Sequence, residues 1–119
     1  MIRSAVPVIS ITDSACAMDY YSRVLGFTRT FLYQADPHRA DPCYLGMERD
    51  GVAIHLESYR PDRAGMAGIF FWVEDVDALY RDFVARGATI QLPPTDQTWG
   101  TREIHVRDPD GNVLGFAMK

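Results

Sequence analysis

The sequence carries an internal repeat, in which two halves of similar length present the same features in the same order. Each half opens with an apolar run, at 5–11 and again at 68–73, and an acidic residue, Asp13 or Asp75, follows closely. Apolar residues at helical spacing come next in both halves. A repeat of this kind predicts two copies of one supersecondary unit, neither of which can bury its apolar face alone.

Within each half the pattern predicts one helix framed by four strands. The helices begin at a capping residue, Asp13 or Ser14 in the first half and Asp75 in the second, and end at Gly26 and Gly87. The turn sequences Asp50-Gly51 and Asp110-Gly111 precede the last strand of their halves. We therefore predict an α+β fold in which two tandem βαβββ modules form a curved mixed sheet around a cleft. Besides the opening runs, the predicted strands cover about 27–34, 43–49, 52–59, 88–92, 101–107 and 112–118.

Both modules fit in a single domain spanning 1–119, with module one at about 1–60 and module two at about 66–119. A linker at 59–65 joins them, and a long loop at 92–100 separates two strands of module two. The third irregular segment, 34–42, contains two prolines.

Composition and charge exclude several classes of protein. The net charge of −4 and the lack of a basic stripe argue against a nucleic-acid partner. No apolar run approaches the roughly 20 residues that span a membrane. The first residues lack the pattern of a signal peptide, so a cytoplasmic location is expected. Cys16 and Cys43 are expected to remain unpaired.

Two sets of motifs carry a resemblance to a known superfamily. The segments 20–27 (Tyr-Tyr-Ser-Arg-Val-Leu-Gly-Phe) and 107–112 (Arg-Asp-Pro-Asp-Gly-Asn), set in this repeat, resemble the vicinal oxygen chelate superfamily. That superfamily includes glyoxalase I, extradiol dioxygenases, and the fosfomycin and bleomycin resistance proteins. The segment 97–103 (Gln-Thr-Trp-Gly-Thr-Arg-Glu) is similar to a Trp-Gly-x-Arg-Glu stretch of bleomycin resistance proteins, the closest group.

The resemblance implies four positions at which metal-using members hold a divalent metal, on the first and last strand of each half. Here they fall near Val6, at His55, at Gly68 and at Gly115. Only His55 can ligate a metal, whereas a stable site needs about three protein ligands. We expect no metal, no cofactor and no catalytic residues, and we lean away from an enzyme.

Strand alternation and the resemblance together indicate an aromatic cleft. Phe70 and Trp72 share a strand face, and Glu103 and His105 point toward the cleft if Ile104 and Val106 pack on the helix. In bleomycin resistance proteins two subunits pair so that clefts form between them, and a tryptophan of this loop flanks the ligand, which implies a homodimer and a role for Trp99. The predicted ligand-binding residues are Trp99, Trp72, Phe70, Tyr44, Phe31, Tyr33, His55, Glu57, Arg102, Glu103 and His105.

The leading hypothesis is metal-independent binding and sequestration of a bleomycin-like or other aromatic, cationic antibiotic in a cleft at the dimer interface. One alternative is a metal-dependent lyase, isomerase or dioxygenase centred on His55. Another is a binding module for an unrelated small metabolite. The sequence leaves open the identity of the ligand, and whether the modules pair within one chain or exchange between subunits.

Overall fold

The computed structural model describes residues 1–119 and contains two βαβββ modules, as the repeat predicts. A π-helical turn, Tyr20–Val24, continues the first helix, and a 3₁₀ turn, Pro61–Arg63, lies in the linker between modules. The elements in chain order are β1 (Val8–Ser10), α1 (Ser14–Asp19), β2 (Thr28–Gln34), β3 (Cys43–Arg49), β4 (Val52–Glu57), β5 (Gly68–Trp72), α2 (Val76–Ala85), β6 (Thr89–Asp96), β7 (Arg102–Arg107) and β8 (Val113–Met118).

The two modules have the same strand order, so the repeat is one of topology as well as of sequence. The first sheet runs β1-β4-β3-β2 and the second β5-β8-β7-β6. In each, the first strand pairs parallel with the last, and the other pairs are antiparallel. Within one chain the strands form two four-stranded sheets rather than one continuous sheet.

The predicted caps and turns form as the sequence indicates. The side chains of Asp13 and Asp75 accept hydrogen bonds from the backbone N–H groups of Cys16 and Ala78, each at 3.0 Å. Asp50 and Gly51 have φ values of 52° and 79° and make the tight turn between β3 and β4. Paired positive φ values characterise the type I′ hairpin turn, which suits Asp-Gly.

Three strands differ from the prediction by two or more residues, and the first, β1, covers only Val8–Ser10 of the opening run 5–11. β6 continues to Asp96, through the two prolines at 93–94 where the sequence predicts a loop. Proline is tolerated there because β6 is an edge strand and its pairing with β7 shifts register between Ile90 and Leu92 and again between Leu92 and Thr95. β4 ends at Glu57 rather than at residue 59, since the Glu57 carboxylate turns the chain by accepting the Tyr59 and Arg60 N–H groups.

The core lies between each sheet and its helix. Leu45, Ile54 and Leu56 are buried on the first sheet, and Ile104 and Leu114 are buried on the second. The aliphatic and aromatic residues of both modules join into one cluster of 18 buried side chains. Because residues alternate along a strand, the opposite side of each sheet presents a different set of side chains.

The Arg107–Asn112 segment fastens the modules to each other. The Tyr21 hydroxyl, from the π-helical turn, donates to the Asp108 carboxylate at 2.9 Å. The Asn112 side chain donates to the Ser10 carbonyl and accepts from the N–H groups of Gly65 and Ala67. None of the helices is long and apolar enough to cross a membrane.

Candidate functional site

The predicted site residues of module one share one side of the first sheet, which we call face one. Strand register sets Phe31 opposite Gly46 and Tyr33 opposite Tyr44, while Gly46 lies opposite His55. Residues paired across antiparallel strands point to the same side. Face one consists of Phe31, Tyr33, Tyr44, His55 and Glu57.

Face one is an aromatic cluster with one histidine at its centre. The Phe31 ring stacks near the Tyr44 ring, with centroids 6.2 Å apart, and meets the His55 ring edge-on at 5.3 Å. The Tyr44 hydroxyl lies 2.9 Å from Nδ1 of His55, so this hydrogen bond fixes the imidazole. Glu57 is buried, and it accepts hydrogen bonds from the Ser10 hydroxyl and from two backbone N–H groups. Both oxygens of the Glu57 carboxylate are therefore already hydrogen-bonded within the protein.

Module two presents a second aromatic surface, which we call face two. Phe70 and His105 both lie opposite Gly115, and Trp72 and Glu103 both lie opposite Ala117. The Phe70 and Trp72 rings meet edge-on at 5.2 Å, and the Lys119 ammonium lies 5.6 Å from the centre of the Trp72 ring. Face two consists of Phe70, Trp72, Trp99, Glu103 and His105.

A tight turn between β6 and β7 carries Trp99 to face two. The turn is closed by hydrogen bonds from the Gln97 N–H to the Thr101 carbonyl and from the Gly100 N–H to the Gln97 carbonyl. It is shorter than the predicted loop because β6 extends to Asp96. Trp99 is 68% exposed, the largest fraction among the aromatic residues of both faces.

Glu103 is a buried carboxylate beneath this turn, and both of its oxygens are engaged. Oε2 accepts from Nε1 of Trp99 at 3.1 Å and from the Thr101 hydroxyl at 2.5 Å, and Oε1 lies 3.0 Å from Nε2 of His105. The Thr101 hydroxyl is the main cause that lowers the pKa of Glu103; burial opposes the shift, and His105 and Trp99 add to it. The carboxylate is thus charged at neutral pH, although it is only 3% exposed.

Arg102, the remaining predicted site residue, lies on the other side of β7. Its guanidinium forms a two-pronged hydrogen bond to the Asp77 carboxylate of α2, at 2.8 and 3.0 Å, and a third bond to Asp96 at 3.1 Å. Asp77 and Asp96 together raise the pKa of Arg102, and the pKa of Asp77 is lowered by the Arg102 hydrogen bonds. Arg102 therefore anchors the base of the Trp99 turn to α2 and is not brought together with the aromatic residues.

Faces one and two do not meet within one chain. None of the aromatic contacts or hydrogen bonds made by face one reaches a residue of face two. Several of the rings are about half exposed, among them Phe31, Tyr33, Phe70 and Trp72. A single chain thus presents two separate aromatic surfaces, each open to solvent.

The four positions that the resemblance implies for a metal offer one side chain able to ligate it, the imidazole of His55. In the parallel pairs His55 lies opposite Val8 and Gly115 lies opposite Phe70, so neither parallel neighbour adds a ligand. The imidazole beside Gly115, that of His105, is bonded to Glu103. Nδ1 of His55 is already bonded to Tyr44. No group of three or more His, Cys, Asp or Glu side chains lies close enough to hold a metal ion.

A cavity of about 680 Å³ lies between the β3–β4 turn and the start of α2. Its apolar wall includes Phe27, Phe71 and Leu79, and carboxylates line its rim. Of the predicted site residues only Trp72 borders it.

Sequence reasoning missed Thr101 and Gly46, although Thr101 is two residues from Glu103 and so shares its strand face.

Comparison with known proteins gives a family match along nearly the whole chain. The sequence model of the Glyoxalase/Bleomycin resistance protein/Dioxygenase superfamily matches residues 5–116. A member of this superfamily from Sphaerobacter thermophilus is 27% identical, with a TM-score of 0.78, and the match covers 100% of both chains.

Two further solved structures are of antibiotic-binding proteins. TnmS3, an antibiotic binding protein from Streptomyces sp. CB03234, is 27% identical with a TM-score of 0.74, over 98% of this chain and 96% of that one. The bleomycin-binding protein of Streptomyces verticillus, solved with copper(II)-bleomycin, is 25% identical with a TM-score of 0.77, over 98% of this chain and 97% of that one.

Proposed function

This chain belongs to the glyoxalase/bleomycin resistance protein/dioxygenase superfamily, and we propose that it binds an aromatic antibiotic with a cationic group and sequesters it unchanged. The observation that supports this most is the pair of exposed aromatic surfaces, faces one and two. On face two a hydrogen bond holds Trp99 in a fixed orientation. The similarity to TnmS3 and to the bleomycin-binding protein points to the same class of ligand.

The physical basis is stacking of a flat ring between aromatic side chains. Each stacked or edge-on contact with Trp or Tyr contributes about 0.5–1.5 kcal/mol beyond the area buried. A cation over such a ring adds about 0.5–2 kcal/mol. The Lys119 ammonium near Trp72 is an internal example of that geometry. Several such anchors suffice for micromolar affinity, which corresponds to about −8 kcal/mol.

The proposal includes a homodimer whose clefts each combine face one of one chain with face two of the other. This arrangement would enclose the rings of both faces, which a single chain leaves open to solvent. It also requires no metal from the protein, since the protein offers no set of ligands at this place. We further propose a cytoplasmic location, which suits two free cysteines.

Fluorescence titration with bleomycin tests the proposal, because both tryptophans, Trp72 and Trp99, lie on face two. We expect saturable quenching with micromolar affinity, and recovery of chemically unchanged bleomycin by mass spectrometry. Trp99→Ala is expected to weaken binding about tenfold, as one well-ordered aromatic anchor is worth about 1.4 kcal/mol.

Ala78→Phe is the control for the cavity, since Ala78 lines the cavity and lies on neither face, although Trp72 of face two borders the same cavity. This variant fills the cavity and is expected to bind as the unmodified protein does. Absence of quenching up to about 100 μM bleomycin, a free energy near −5.5 kcal/mol, would overturn the bleomycin version of the proposal. Loss of binding in Ala78→Phe alone would move the site to the cavity.

A further inference from the structure

The orientation of Trp99 depends on a side chain that a ligand need not touch. Glu103 is almost fully buried, and three side-chain donors converge on its carboxylate, from Trp99, Thr101 and His105. Nε1 of Trp99 is thereby occupied, while most of the indole ring remains exposed. The ring consequently presents its face, not its N–H group, to whatever enters the cleft.

We propose that Glu103 is a positioning residue, which holds the Trp99 indole in its binding orientation before any ligand arrives. The expected effect on ligand affinity rests on the proposed function. The expected order of the indole in the free protein does not. This role of Glu103 also restricts the chemistry of the ligand group that contacts Trp99. That group is a planar ring recognised by stacking, and it needs no acceptor for the indole N–H. Glu103 itself is not the counter-ion that a cationic ligand contacts, because its oxygens are already engaged.

A turn as short as Gln97–Thr101 leaves a large aromatic side chain few contacts with the core. Trp99 is exposed, and its hydrogen bond to Glu103 connects the indole to the sheet. Without this hydrogen bond, a ligand would have to order the Trp99 side chain on binding. The cost of immobilising one side chain corresponds to a loss of about three- to tenfold in affinity.

The test compares Glu103→Gln with Glu103→Met. Gln retains an oxygen that accepts from Trp99 and Thr101 but carries no charge, whereas Met has similar volume and no strong acceptor. The order of the indole is read in the free protein from the fluorescence anisotropy of Trp99, in a Trp72→Phe background that leaves Trp99 as the sole tryptophan. Affinity for bleomycin is measured calorimetrically with Trp72 retained.

We expect Glu103→Gln to retain the high anisotropy of the indole and to bind bleomycin within about twofold of the unmodified protein. Glu103→Met is expected to lower the anisotropy and to weaken binding about three- to tenfold. Unchanged anisotropy in Glu103→Met overturns the inference. Equal loss of affinity in both variants also overturns it, because the charge would then be what matters.

Glu103→Ala serves as a second variant if Glu103→Met does not fold, and the same outcomes are expected of it. The anisotropy measurement requires no ligand. The positioning role of Glu103 and the binding of bleomycin can therefore be overturned independently of each other. If the unmodified protein does not bind bleomycin, the bleomycin proposal fails and the anisotropy still decides whether Glu103 positions Trp99.

Discussion

Gly46 determines where the Phe31 ring lies on face one. A Cβ atom built on Gly46 would come within 2.3 Å of a Phe31 ring carbon and 2.5 Å of the Thr30 hydroxyl. The ring thus rests directly on the bare backbone of β3, which brings it against Tyr44 and His55. Gly115, at the centre of face two, has more room, since a Cβ atom there would lie 3.4 Å from the nearest atoms of His105 and Phe70.

The two glycines therefore make a matched pair of substitutions. Gly46→Ala is expected to displace Phe31 and to lower the free energy of unfolding by about 1 kcal/mol, the value of the lost ring contacts. Gly115→Ala is expected to change it by less than about 0.5 kcal/mol, because the added methyl meets its neighbours at ordinary van der Waals distance. Urea unfolding of both variants checks this, and equal effects would contradict it.

Strand alternation predicts which side chains share a face of the sheet, but not which of them are already hydrogen-bonded within the protein. The pairing of Glu103 and His105 on one side of β7 follows from the two-residue spacing. The Trp99 and Thr101 contacts of Glu103 depend on how the turn closes, and the sequence alone does not determine that. The same holds for Glu57, which turns the chain after β4 and does not face a ligand with a free carboxylate.

Among the elements, the β6–β7 hairpin differs most from its prediction and carries the most exposed ring. The prolines at 93–94 predict a loop, yet register shifts in an edge strand accommodate them. The caps of both helices and the Asp50-Gly51 turn were predictable because each is determined by local chemistry. The irregular pairing of β6 arises from its contacts with β7, so no local pattern predicts it.

The hairpin should also depend on pH through Glu103. Hydrogen bonding lowers the pKa of Glu103 below its usual 4.5, so the folded state favours the charged form. The stabilisation is complete above the pKa of the unfolded chain and is lost as the pH falls through the folded pKa. Other carboxylates with lowered pKa values, such as Asp41 and Asp77, titrate equally in a Glu103 variant.

We therefore expect the unmodified protein to be more stable than Glu103→Gln at about pH 7, and the difference to shrink below about pH 4.5. Urea unfolding of both proteins between about pH 7 and about pH 3 measures it. A difference that stays constant over this range would show that the charge of Glu103 contributes nothing to stability.

The whole molecule is more extended than a compact domain of its length. Its radius of gyration is 14.7 Å, whereas a compact domain of this length has about 13.5 Å. β1 and β5 each have one hydrogen-bonded neighbour, so the first strand of each sheet presents a free edge. Free edges beside exposed aromatic faces are features that a second copy of the chain would cover.

Mixing two defective variants tests how the clefts are assembled. Phe31→Ala/Tyr33→Ala removes two rings of face one, and Trp99→Ala removes one ring of face two, so we expect each variant alone to bind weakly. If each cleft combines face one of one chain with face two of the other, a mixed dimer has one cleft with both defects and one cleft with none. Refolding the variants together should make about half of the dimers mixed, which restores about one tight site for every four chains.

Calorimetry with bleomycin counts those sites, and each variant refolded alone is the control. If each cleft were built within one chain, every cleft in the mixture would carry one defect and no tight site would return. Tight binding that reappears on mixing, with the affinity of the unmodified protein, therefore requires that the two faces of one cleft come from different chains. Each chain would then contribute to two clefts, which accounts for the separation of the two faces in a single chain.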